Sequence, residues 1–482
     1  MASSDNKKMD RSIHFFGLLT MGIGCMFGTS WLLLTAGWLD RAGGPMNVIL
    51  ALVLCLIVEI PLAFAYLEAI PMFPLSGGEM VYSYMGMGPL GGLMAAWSGI
   101  IMNGVIVCWE TISIYKVCGY LFPSLENAPA LYELLGFPVT LPGIILGVAL
   151  AVIIILVQLS GTTFVSSMSK VLTSAIVILT LAGILVGLFH FDAATFAVPA
   201  TKSPITGSFS LLAVLTFTIA GWETVAKSAG EARGEVARKK SGLALVMCLL
   251  ICITLNALVV IAVSGLLPWP EASTMVAPFI DGLQKATGSS VFGKVLLIAA
   301  LIGIVGVSNS TMFGATRLMY GLADVGLIPK SFTKLNKNRV PVRCILVVGA
   351  FAIATPFLGK GVFLPLIDVT AVATIVMWVM TFFSVLLMRK KYPDMERPVR
   401  MPGGQFMVIF GIICSIIILG TVLIPTSPGA IIWPSEYIVT IVLYALGLIL
   451  YLRRDKSLTY EEQRKMIIGE TEIDEPAQKP TE

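Results

Sequence analysis

Long apolar segments recur along this chain from one end to the other, separated by short polar stretches. Each segment is about 20 residues or longer, which is the length of a helix that crosses a bilayer core of about 30 Å. The segments lack an alternation of apolar and polar positions, so they predict helices rather than the strands of a membrane barrel. We predict twelve membrane spans, at residues 13–38, 44–70, 90–121, 140–160, 165–190, 208–229, 241–267, 291–322, 342–359, 363–388, 404–425 and 433–452.

Composition and the placement of positive charge agree with this pattern. The chain is 57% hydrophobic and 12% charged, whereas a soluble protein carries about twice that share of charge. With a cytoplasmic N-terminus, 25 of the 32 Lys and Arg residues fall on the cytoplasmic side and 5 on the outer side, as the positive-inside rule requires. We therefore predict that both termini are cytoplasmic. The charged C-terminal tail is predicted to form a short helix followed by disorder over 470–482.

The first span contains an unusual concentration of glycine, at Gly22, Gly24 and Gly28, and glycine weakens a helix. A second interruption, Ala220-Gly221, lies in span 6. The two interruptions are four complete spans apart, which makes their positions equivalent if a five-helix unit is repeated. Interrupted helices at equivalent positions are typical of a transporter site at the bilayer midplane. The alternative is that the glycines only allow close helix packing, as small residues four apart often do.

We single out six of the ionisable residues inside predicted spans, where a charge is expensive and therefore usually functional. The spacing of Asn103, Val107 and Glu110 puts all three on one face of span 3. Three roles stay open for Glu110: binding a cationic group of a substrate, carrying a coupling proton, or bonding to neighbouring helices. The six ionisable residues are Glu59, Glu110, Lys116, Glu223, Lys227 and Asp368.

Two more of these carboxyl groups have alternative roles. Glu223 lies beside the interruption in span 6, four residues before Lys227, so it either forms an ion pair with that lysine or takes up a proton. Asp368, near the outer end of span 10, either belongs to a gate or makes a structural hydrogen bond. Glu223, Glu110 and Asp368 are therefore the candidates for proton coupling or gating.

Catalytic and metal-binding patterns are missing from the sequence. The two histidines, His14 and His190, lie near span ends, and there is no phosphate-loop or paired-histidine motif. The eight cysteines have no paired-ligand spacing and are expected to be packing residues. We expect no enzyme activity, no catalytic residues, no metal or other cofactor and no nucleic-acid partner. The expected partners are a small molecule and the lipid bilayer, with protons as candidates for coupling.

Four stretches of the chain resemble signatures of the amino acid–polyamine–organocation (APC) superfamily of permeases, and together the similarity covers about residues 12–455. The first resembles a glycine-rich signature in span 1, and the second the segment between spans 2 and 3. The third is similar to a pattern in span 6 and the fourth to a signature of span 8. The stretches are "GIGCMFGTSW" (22–31), "FPLSGGEMVYSYMGMGPLGGLMAAW" (73–97), "FTIAGWETVAKSAGEAR" (217–233) and "SNSTMFGATRLMYGLADVGLIPKSF" (308–332).

The resemblance implies an all-α polytopic membrane protein with a LeuT-type 5+5 inverted repeat, in which spans 1 and 6 are unwound at mid-membrane. The whole would be a single transporter domain. Its parts would be a cytoplasmic tail at 1–12, a first five-helix repeat at 13–190, a second repeat at 208–388, two additional helices at 404–452 and a cytoplasmic tail at 453–482.

The resemblance also implies which residues bind a substrate, position by position. Residues of span 1 would bind the substrate carboxylate through backbone N–H and hydroxyl groups; these are Met26, Gly28, Thr29 and Ser30. In span 6 an aromatic lid would be followed by residues that offer backbone to the α-amino group; these are Phe217, Thr218, Ala220 and Gly221. From span 3 the pocket positions would be Asn103, Val107 and Glu110.

Departures from the family pattern concern specificity and coupling. Phe27 and Ser30 stand where the first signature usually has Ile and Gly. Some proton-coupled members carry a lysine in the middle of span 5, but here that position is Ile176 and Lys170 lies nearer the cytoplasmic end. Coupling through a lysine of span 5 is therefore not expected.

The resemblance implies secondary transport of amino acids across the plasma membrane of a bacterium, by alternating access with proton symport or amino acid exchange. An amine or polyamine carrier of the same fold is the main alternative, and a nutrient sensor that binds without transporting is another. A channel would need a continuous polar pore, whereas the polar groups here cluster at one depth. The identity of the amino acid, the coupling ion and the oligomeric state are left open by the sequence.

Overall fold

The computed structural model describes residues 11–73, 75, 77–125, 127–233, 236, 240–427, 430–454 and 456–472, apart from the side chains of residues 213, 216, 217, 364 and 468–472. These residues form a largely helical protein. The helices of the first half are α1 (Phe15–Met26), α2 (Ser30–Leu33), α3 (Thr35–Ala42), α4 (Pro45–Met72), α5 (Glu79–Met87), α6 (Pro89–Leu121), α7 (Leu141–Leu159), α8 (Thr162–Phe189) and α9 (Ala193–Phe196).

The second half of the chain is helical as well, and short 3₁₀ turns join several of the helices. The helices are α10 (Pro204–Ile219), α11 (Thr224–Lys227), α12 (Ser241–Leu266), α13 (Trp269–Ala272), α14 (Pro278–Thr287), α15 (Ser290–Asp324), α16 (Val342–Ala354), α17 (Phe363–Lys391), α18 (Gly404–Leu423), α19 (Ser435–Leu452) and α20 (Tyr460–Glu472). The 3₁₀ turns are Pro123–Leu125, Ala229–Glu231, Lys330–Thr333, Thr355–Leu358 and Lys360–Val362.

Among the described residues, ten helical segments are long and apolar enough to cross a membrane. They confirm an all-α polytopic membrane protein. Two of the twelve predicted spans fall short of that criterion. Span 6 is divided into α10 and the single turn α11, and the helix of span 9, α16, has only 13 residues. The ten segments are Phe15–Leu33, Pro45–Met72, Pro89–Leu121, Leu141–Leu159, Thr162–Phe189, Ser241–Leu266, Ser290–Asp324, Lys360–Lys391, Gly404–Leu423 and Ser435–Leu452.

Both predicted interruptions are present as breaks in helical structure. Helix α1 ends at Met26 and α2 begins at Ser30, so residues 27–29 are not helical. Helix α10 ends at Ile219 and α11 begins at Thr224, which leaves residues 220–223 outside the helices. Gly221 in the second break has a φ of +122°, a conformation that residues with a Cβ rarely adopt.

The two broken segments lie inside the helical bundle. Helix α1 packs against α8, α12 and α15, and α11 contacts α1, α12 and α15. The long helices α6 and α15 also pack against each other. Helix α19, by contrast, has only two buried residues, Glu436 and Gly447. The breaks are therefore enclosed by packed helices, which is where irregular backbone is tolerated at membrane depth.

The connection between α6 and α7 contains a β-hairpin that the sequence analysis did not predict. Strand β1 (Ala130–Leu134) pairs antiparallel with β2 (Phe137–Thr140). The two residues between them, Leu135 and Gly136, have φ values of +53° and +77°. Positive φ at both positions defines the turn that matches the twist of a two-residue hairpin. The hairpin is largely exposed, and Tyr132 donates a hydrogen bond to the carbonyl of Phe357.

A helix in the C-terminal tail confirms one part of the prediction for that region. Thr459 and Glu462 exchange hydrogen bonds between their side chains and backbone N–H groups, which is a capping box, and α20 follows. The helix docks on the bundle through Ile467, which is buried, and through Tyr84, whose hydroxyl donates to Gln463 at 2.8 Å. The predicted disorder concerns 470–482, of which residues 473–482 lie outside the described residues.

Candidate functional site

A small cavity lies where the two helix breaks face α6 and α15. Its wall combines backbone of both breaks with apolar side chains and a few hydroxyl groups. One carboxyl group, that of Glu110, is part of the lining. The lining residues are Cys25, Met26, Gly28, Thr29, Ser30, Leu34, Ile106, Trp109, Glu110, Thr218, Ala220 and Val307.

The first break supplies hydrogen-bond donors to this cavity. Among the described residues, no backbone carbonyl accepts from the N–H groups of Gly28 and Thr29. The Thr29 side chain is buried, and its Oγ1 has no partner in the described part of the chain. Buried polar groups without partners are costly. The first break therefore has buried hydrogen-bonding groups without a partner in the described part of the chain.

In the second break, a backbone N–H group already donates to a carboxyl group of the same break. The N–H of Gly221 donates to Glu223 Oε2 at 2.7 Å, and Trp378 Nε1 donates to Glu223 Oε1 at 2.7 Å. Glu223 is fully buried by these contacts. One donor of the second break, the Gly221 N–H, is thus occupied, whereas α10 ends at the cavity with carbonyl groups that cannot bond within the helix. Carbonyl oxygens at a helix C-terminus favour a cation.

Glu110 reaches the cavity from α6. Its side chain is 2% exposed, and its Oε2 atom has no hydrogen-bond partner among the described residues. The carboxyl group also approaches the first break closely, because a Cβ added to Gly28 would lie 3.2 Å from Glu110 Oε1. A carboxyl group without partners in such a position is available to a donor or cation on a bound molecule.

The cavity brings together seven of the eleven predicted substrate-binding residues, namely Met26, Gly28, Thr29, Ser30, Glu110, Thr218 and Ala220. Gly221 lies in the second break but does not line the cavity, and the side chain of Phe217 lies outside the described residues. Asn103 and Val107 are buried in helix packing instead. The amide of Asn103 donates to the carbonyl of Gly99, and its oxygen faces α15 near Gly314.

Five lining residues were not predicted: Cys25, Leu34, Ile106, Trp109 and Val307. All are apolar or weakly polar, and the sequence pattern does not separate them from core residues. Helix α6 is buried on nearly every side, so its residues show no amphipathic pattern that would fix which side faces the cavity. Knowing that Glu110 lines the cavity would have pointed to Trp109 and Ile106, which are one and four residues before it.

Several buried charges lie on the side of the second break away from the cavity. The predicted pair of Glu223 with Lys227 does not form among the described residues. Instead, Lys227 Nζ lies 3.6 Å from Glu79 Oε1 of α5, and both side chains are fully buried. Glu59 accepts from Trp222 Nε1 at 2.9 Å and from Cys55 Sγ at 3.2 Å.

Two further pairs lie apart from the cavity. Arg317 of α15 holds Glu231 in a bidentate ion pair, with Nε at 2.6 Å from Oε1. Asp368 of α17 lies near Glu436 of α19 and does not line the cavity. Among the described residues, no group of three or more His, Cys, Asp or Glu residues could hold a metal ion. The cavity thus combines backbone N–H groups of the first break, which no described carbonyl binds, with the C-terminal end of α10.

The chain is similar to known membrane transporters over most of its length. A family model described as amino acid permease matches residues 13–447. The chain is 25% identical over 416 residues to the methylthioribose transporter of Bacillus subtilis, covering 83% of this chain and 86% of the relative. It is 25% identical over 419 residues to the branched-chain amino acid permease BcaP of the same organism, with the same coverage. It is also similar to the D-serine/D-alanine/glycine transporter of Escherichia coli, with 24% identity over 75% of this chain and 77% of the relative.

Proposed function

We propose that this chain carries amino acids across the plasma membrane of a bacterium by alternating access. The premise is that the chain belongs to the amino acid permease family of the APC superfamily and is a multi-pass membrane transporter. The observation that carries this proposal is the cavity between the two helix breaks. The first break has free donors, and the second ends in carbonyl groups. An α-amino acid carries the two charges that these breaks would bind.

In this proposal the substrate carboxylate is bound by the N–H groups of Gly28 and Thr29, with the hydroxyl groups of Thr29 and Ser30 beside them. The α-amino group is bound by the backbone at Thr218, Ala220 and Gly221, where α10 ends. Unpartnered donors at the first break support the first contact. Met26 ends α1 and contributes to the wall, while Phe217, Asn103 and Val107 stay predictions from the family resemblance.

The side chain of the substrate would occupy the part of the cavity formed by Ile106, Trp109 and Val307, with Glu110 at its edge. The apolar wall favours a small or medium apolar side chain. Glu110 favours a substrate that also offers a hydrogen-bond donor or a positive charge. An amine carrier is therefore the second candidate, because an unpartnered carboxyl group in the cavity would bind an ammonium group.

We also propose the finer architecture: twelve spans, an inverted repeat of spans 1–5 and 6–10, cytoplasmic termini, and rocking of a bundle that includes spans 1 and 6. The matched breaks at residues 27–29 and 220–223 support the repeat. Transport would be coupled to proton symport or to amino acid exchange, with Glu223, Glu110 and Asp368 as the predicted coupling or gating groups. Labelling of single cysteines placed in successive loops, from either side of the membrane, would test the topology.

Binding is the first test of this function. Purified protein is screened by thermal shift against the common amino acids, their methyl esters, amines and polyamines, and methylthioribose. Binding of a ligand that binds only the folded protein raises the melting temperature. We expect a rise with free amino acids and none with the corresponding esters, which lack the carboxylate. A rise with amines alone would favour the second candidate instead.

Transport is the second test. Proteoliposomes that contain the protein should take up or exchange the substrate found in the screen, whereas a non-transporting sensor would bind without flux. Glu110→Gln should change the ligand profile because it alters the cavity wall. Glu68→Gln is the matched control, since Glu68 is equally buried but paired with Arg389 outside the cavity. An unchanged ligand profile in Glu110→Gln would contradict the assignment of Glu110 to the pocket.

A further inference from the structure

Three fully buried carboxyl groups lie in or beside the segment from Gly221 to Lys227. Glu223 belongs to the segment, and Glu59 of α4 and Glu79 of α5 lie beside it. Lys227 is the cation among them, and its Nζ atom lies 3.6 Å from Glu79 Oε1. No other ion pair to these three carboxyl groups forms within the described part of the chain. If all three were ionised beside one ammonium group, the cluster would carry an excess of two negative charges, which burial and mutual repulsion both disfavour.

The hydrogen bonds that the three carboxyl groups accept indicate which of them has a free oxygen to carry a proton. Both oxygens of Glu223 accept from donors, namely the Gly221 N–H and Trp378 Nε1. Both oxygens of Glu59 also accept, from Trp222 Nε1 and Cys55 Sγ. A carboxyl oxygen that already accepts from such a donor is poorly placed to carry a proton of its own. In Glu59 and Glu223, both carboxyl oxygens are therefore already occupied by donors.

Glu79 differs from the other two carboxyl groups. Its Oε1 atom accepts from the hydroxyl of Tyr66 at 2.8 Å. Its Oε2 atom is buried and has no hydrogen-bond partner among the described residues. Of the six carboxyl oxygens in the cluster, Glu79 Oε2 is thus the one with no donor directed at it from the described residues. An O–H group at this atom would turn an unsatisfied acceptor into a donor.

Lys227 is placed to respond to the charge on Glu79. Its Nζ atom is fully buried and makes no hydrogen bond within the described part of the chain, and at 3.6 Å it is close to Glu79 without a hydrogen bond to it. The unpartnered amide oxygen of Asn103 lies nearby, because a Cβ added to Gly314 would be 2.9 Å from Asn103 Oδ1 and 3.3 Å from Lys227 Cδ. The ammonium group therefore has two acceptors within its surroundings.

We propose that Glu79 is a proton-binding site of this transporter, in which Oε2 carries the proton and Lys227 is the counterion that remains charged when the proton leaves. The proposal rests on the proposed function, which it deepens by naming the coupling ion and its site. On release, the O–H bond of the Glu79 carboxyl breaks, the proton passes to water, and the carboxylate pairs with the Lys227 ammonium. Uptake is the reverse step, so one proton is bound or released in each cycle.

The groups facing Glu79 are consistent with this role. Tyr66 from α4 and Tyr82 from α5 are phenols, and Glu223 and Lys227 come from the segment of the second break. From α17 the nearest polar group is the hydroxyl of Thr381 beside Tyr66, which does not titrate. From α15 the charged groups are Arg317, which is paired with Glu231, and Asp324, which lies near Met80 and Val81 of α5. Burial raises the pKa of the Glu79 carboxyl, which keeps the proton bound to a higher pH.

The site is connected to the substrate cavity through the second break. Lys227 and Glu223 lie on the segment that begins at Ala220, which lines the cavity. Helix α5 meets this segment closely, because a Cβ added to Gly78 would be 3.1 Å from the peptide nitrogen of Lys227. A displacement of the segment against α5 would therefore change the distance between Lys227 and Glu79. Substrate occupancy and proton binding would be coupled by that displacement.

The experiment compares two fluxes in proteoliposomes. Uptake is measured with and without an inward-directed proton gradient. Counterflow exchanges labelled for unlabelled substrate and is measured without a proton gradient. We expect the gradient to stimulate uptake by the wild type. Glu79→Gln should keep counterflow but lose the stimulation, with a ratio of about one between the two uptake rates. Glu79→Asp retains a titratable group and should retain stimulation. Glu68→Gln, a buried carboxyl group paired with Arg389, should behave as the wild type.

Lys227→Met provides a second, independent variant. Without its counterion the Glu79 carboxyl would hold its proton, so the same loss of stimulation with retained counterflow is expected. Full stimulation of uptake by the proton gradient in Glu79→Gln would overturn the proposal. Wild-type protein that shows counterflow but no stimulation by the gradient would overturn it as well. In both cases the proposed amino acid transport itself would stand. Absence of binding, uptake and counterflow in the wild type would instead overturn the transport function, and the proton site with it.

Discussion

The substitution Gly28→Ala tests whether the cavity at the first break is the substrate site. An added Cβ would lie 2.5 Å from Val307 Cγ2 and 3.2 Å from Glu110 Oε1. Both distances are below ordinary van der Waals contact, and the first requires a neighbour to move. Gly28 does not have a positive φ, so alanine introduces no backbone strain. The effect of the substitution is therefore the steric effect of one methyl group on the cavity wall.

The magnitude follows from where the methyl group can go. In the empty protein Val307 can shift into the cavity, so the free energy of unfolding should change little. With a substrate bound that space is filled, and overpacking of a filled site costs about 1–3 kcal/mol. Each 1.4 kcal/mol is a factor of ten in affinity, so we expect substrate binding to weaken by about tenfold or more. Val307→Ala should restore much of that loss in the double variant, because it removes the methyl group at 2.5 Å.

Titration calorimetry of the purified variants, with the substrate found by thermal shift, measures this effect. Gly104→Ala in α6 is the matched control, since a Cβ there meets no atom within 4 Å. It should leave the affinity unchanged. Wild-type affinity in Gly28→Ala would refute the assignment of the cavity as the substrate site. An equal loss in the single and the double variant would refute the steric explanation.

Three other substitutions test the packing around the site. Arg317→Met leaves the buried Glu231 carboxylate without its bidentate partner, so the free energy of unfolding should fall by about 3–5 kcal/mol; an unchanged melting temperature would contradict this. Trp378→Phe removes a donor to Glu223 and should cost about 1–3 kcal/mol, measured by thermal unfolding in detergent. Ile467→Asp puts a charge at a buried contact of α20 and should make the C-terminal tail sensitive to limited proteolysis while the remaining bundle stays resistant.

The two breaks could be predicted from the sequence because local chemistry determines them. Glycine weakens a helix whatever surrounds it, and the clusters at Gly28 and Gly221 are visible in the printed sequence. The membrane spans were predictable for a similar reason, since length and apolarity alone define them. The first break, at residues 27–29, lies at the C-terminal end of this glycine-rich stretch.

The side of α6 that faces the cavity could not be predicted in this way. Asn103, Val107 and Glu110 share a helix face by spacing, yet only Glu110 lines the cavity. A helix that is buried nearly all round presents no polar side that fixes its rotation. The partner of Lys227 was also beyond prediction, because Glu79 is 148 positions earlier in the chain and only the tertiary fold brings the two together.

The position of Glu223 explains why two similar breaks would bind opposite ends of one substrate. A broken membrane helix leaves both donors and acceptors free, so each break alone would accept either charge. At the second break Glu223 accepts from the Gly221 N–H, which cancels the attraction of that break for an anion. The first break has no acidic side chain within residues 27–30. Glu110 approaches Gly28 from α6, but no described backbone carbonyl accepts from the N–H groups of Gly28 and Thr29, so these donors stay available. In the proposed function, this difference between the two breaks would place the carboxylate of an amino acid at Gly28 and its ammonium group at the end of α10.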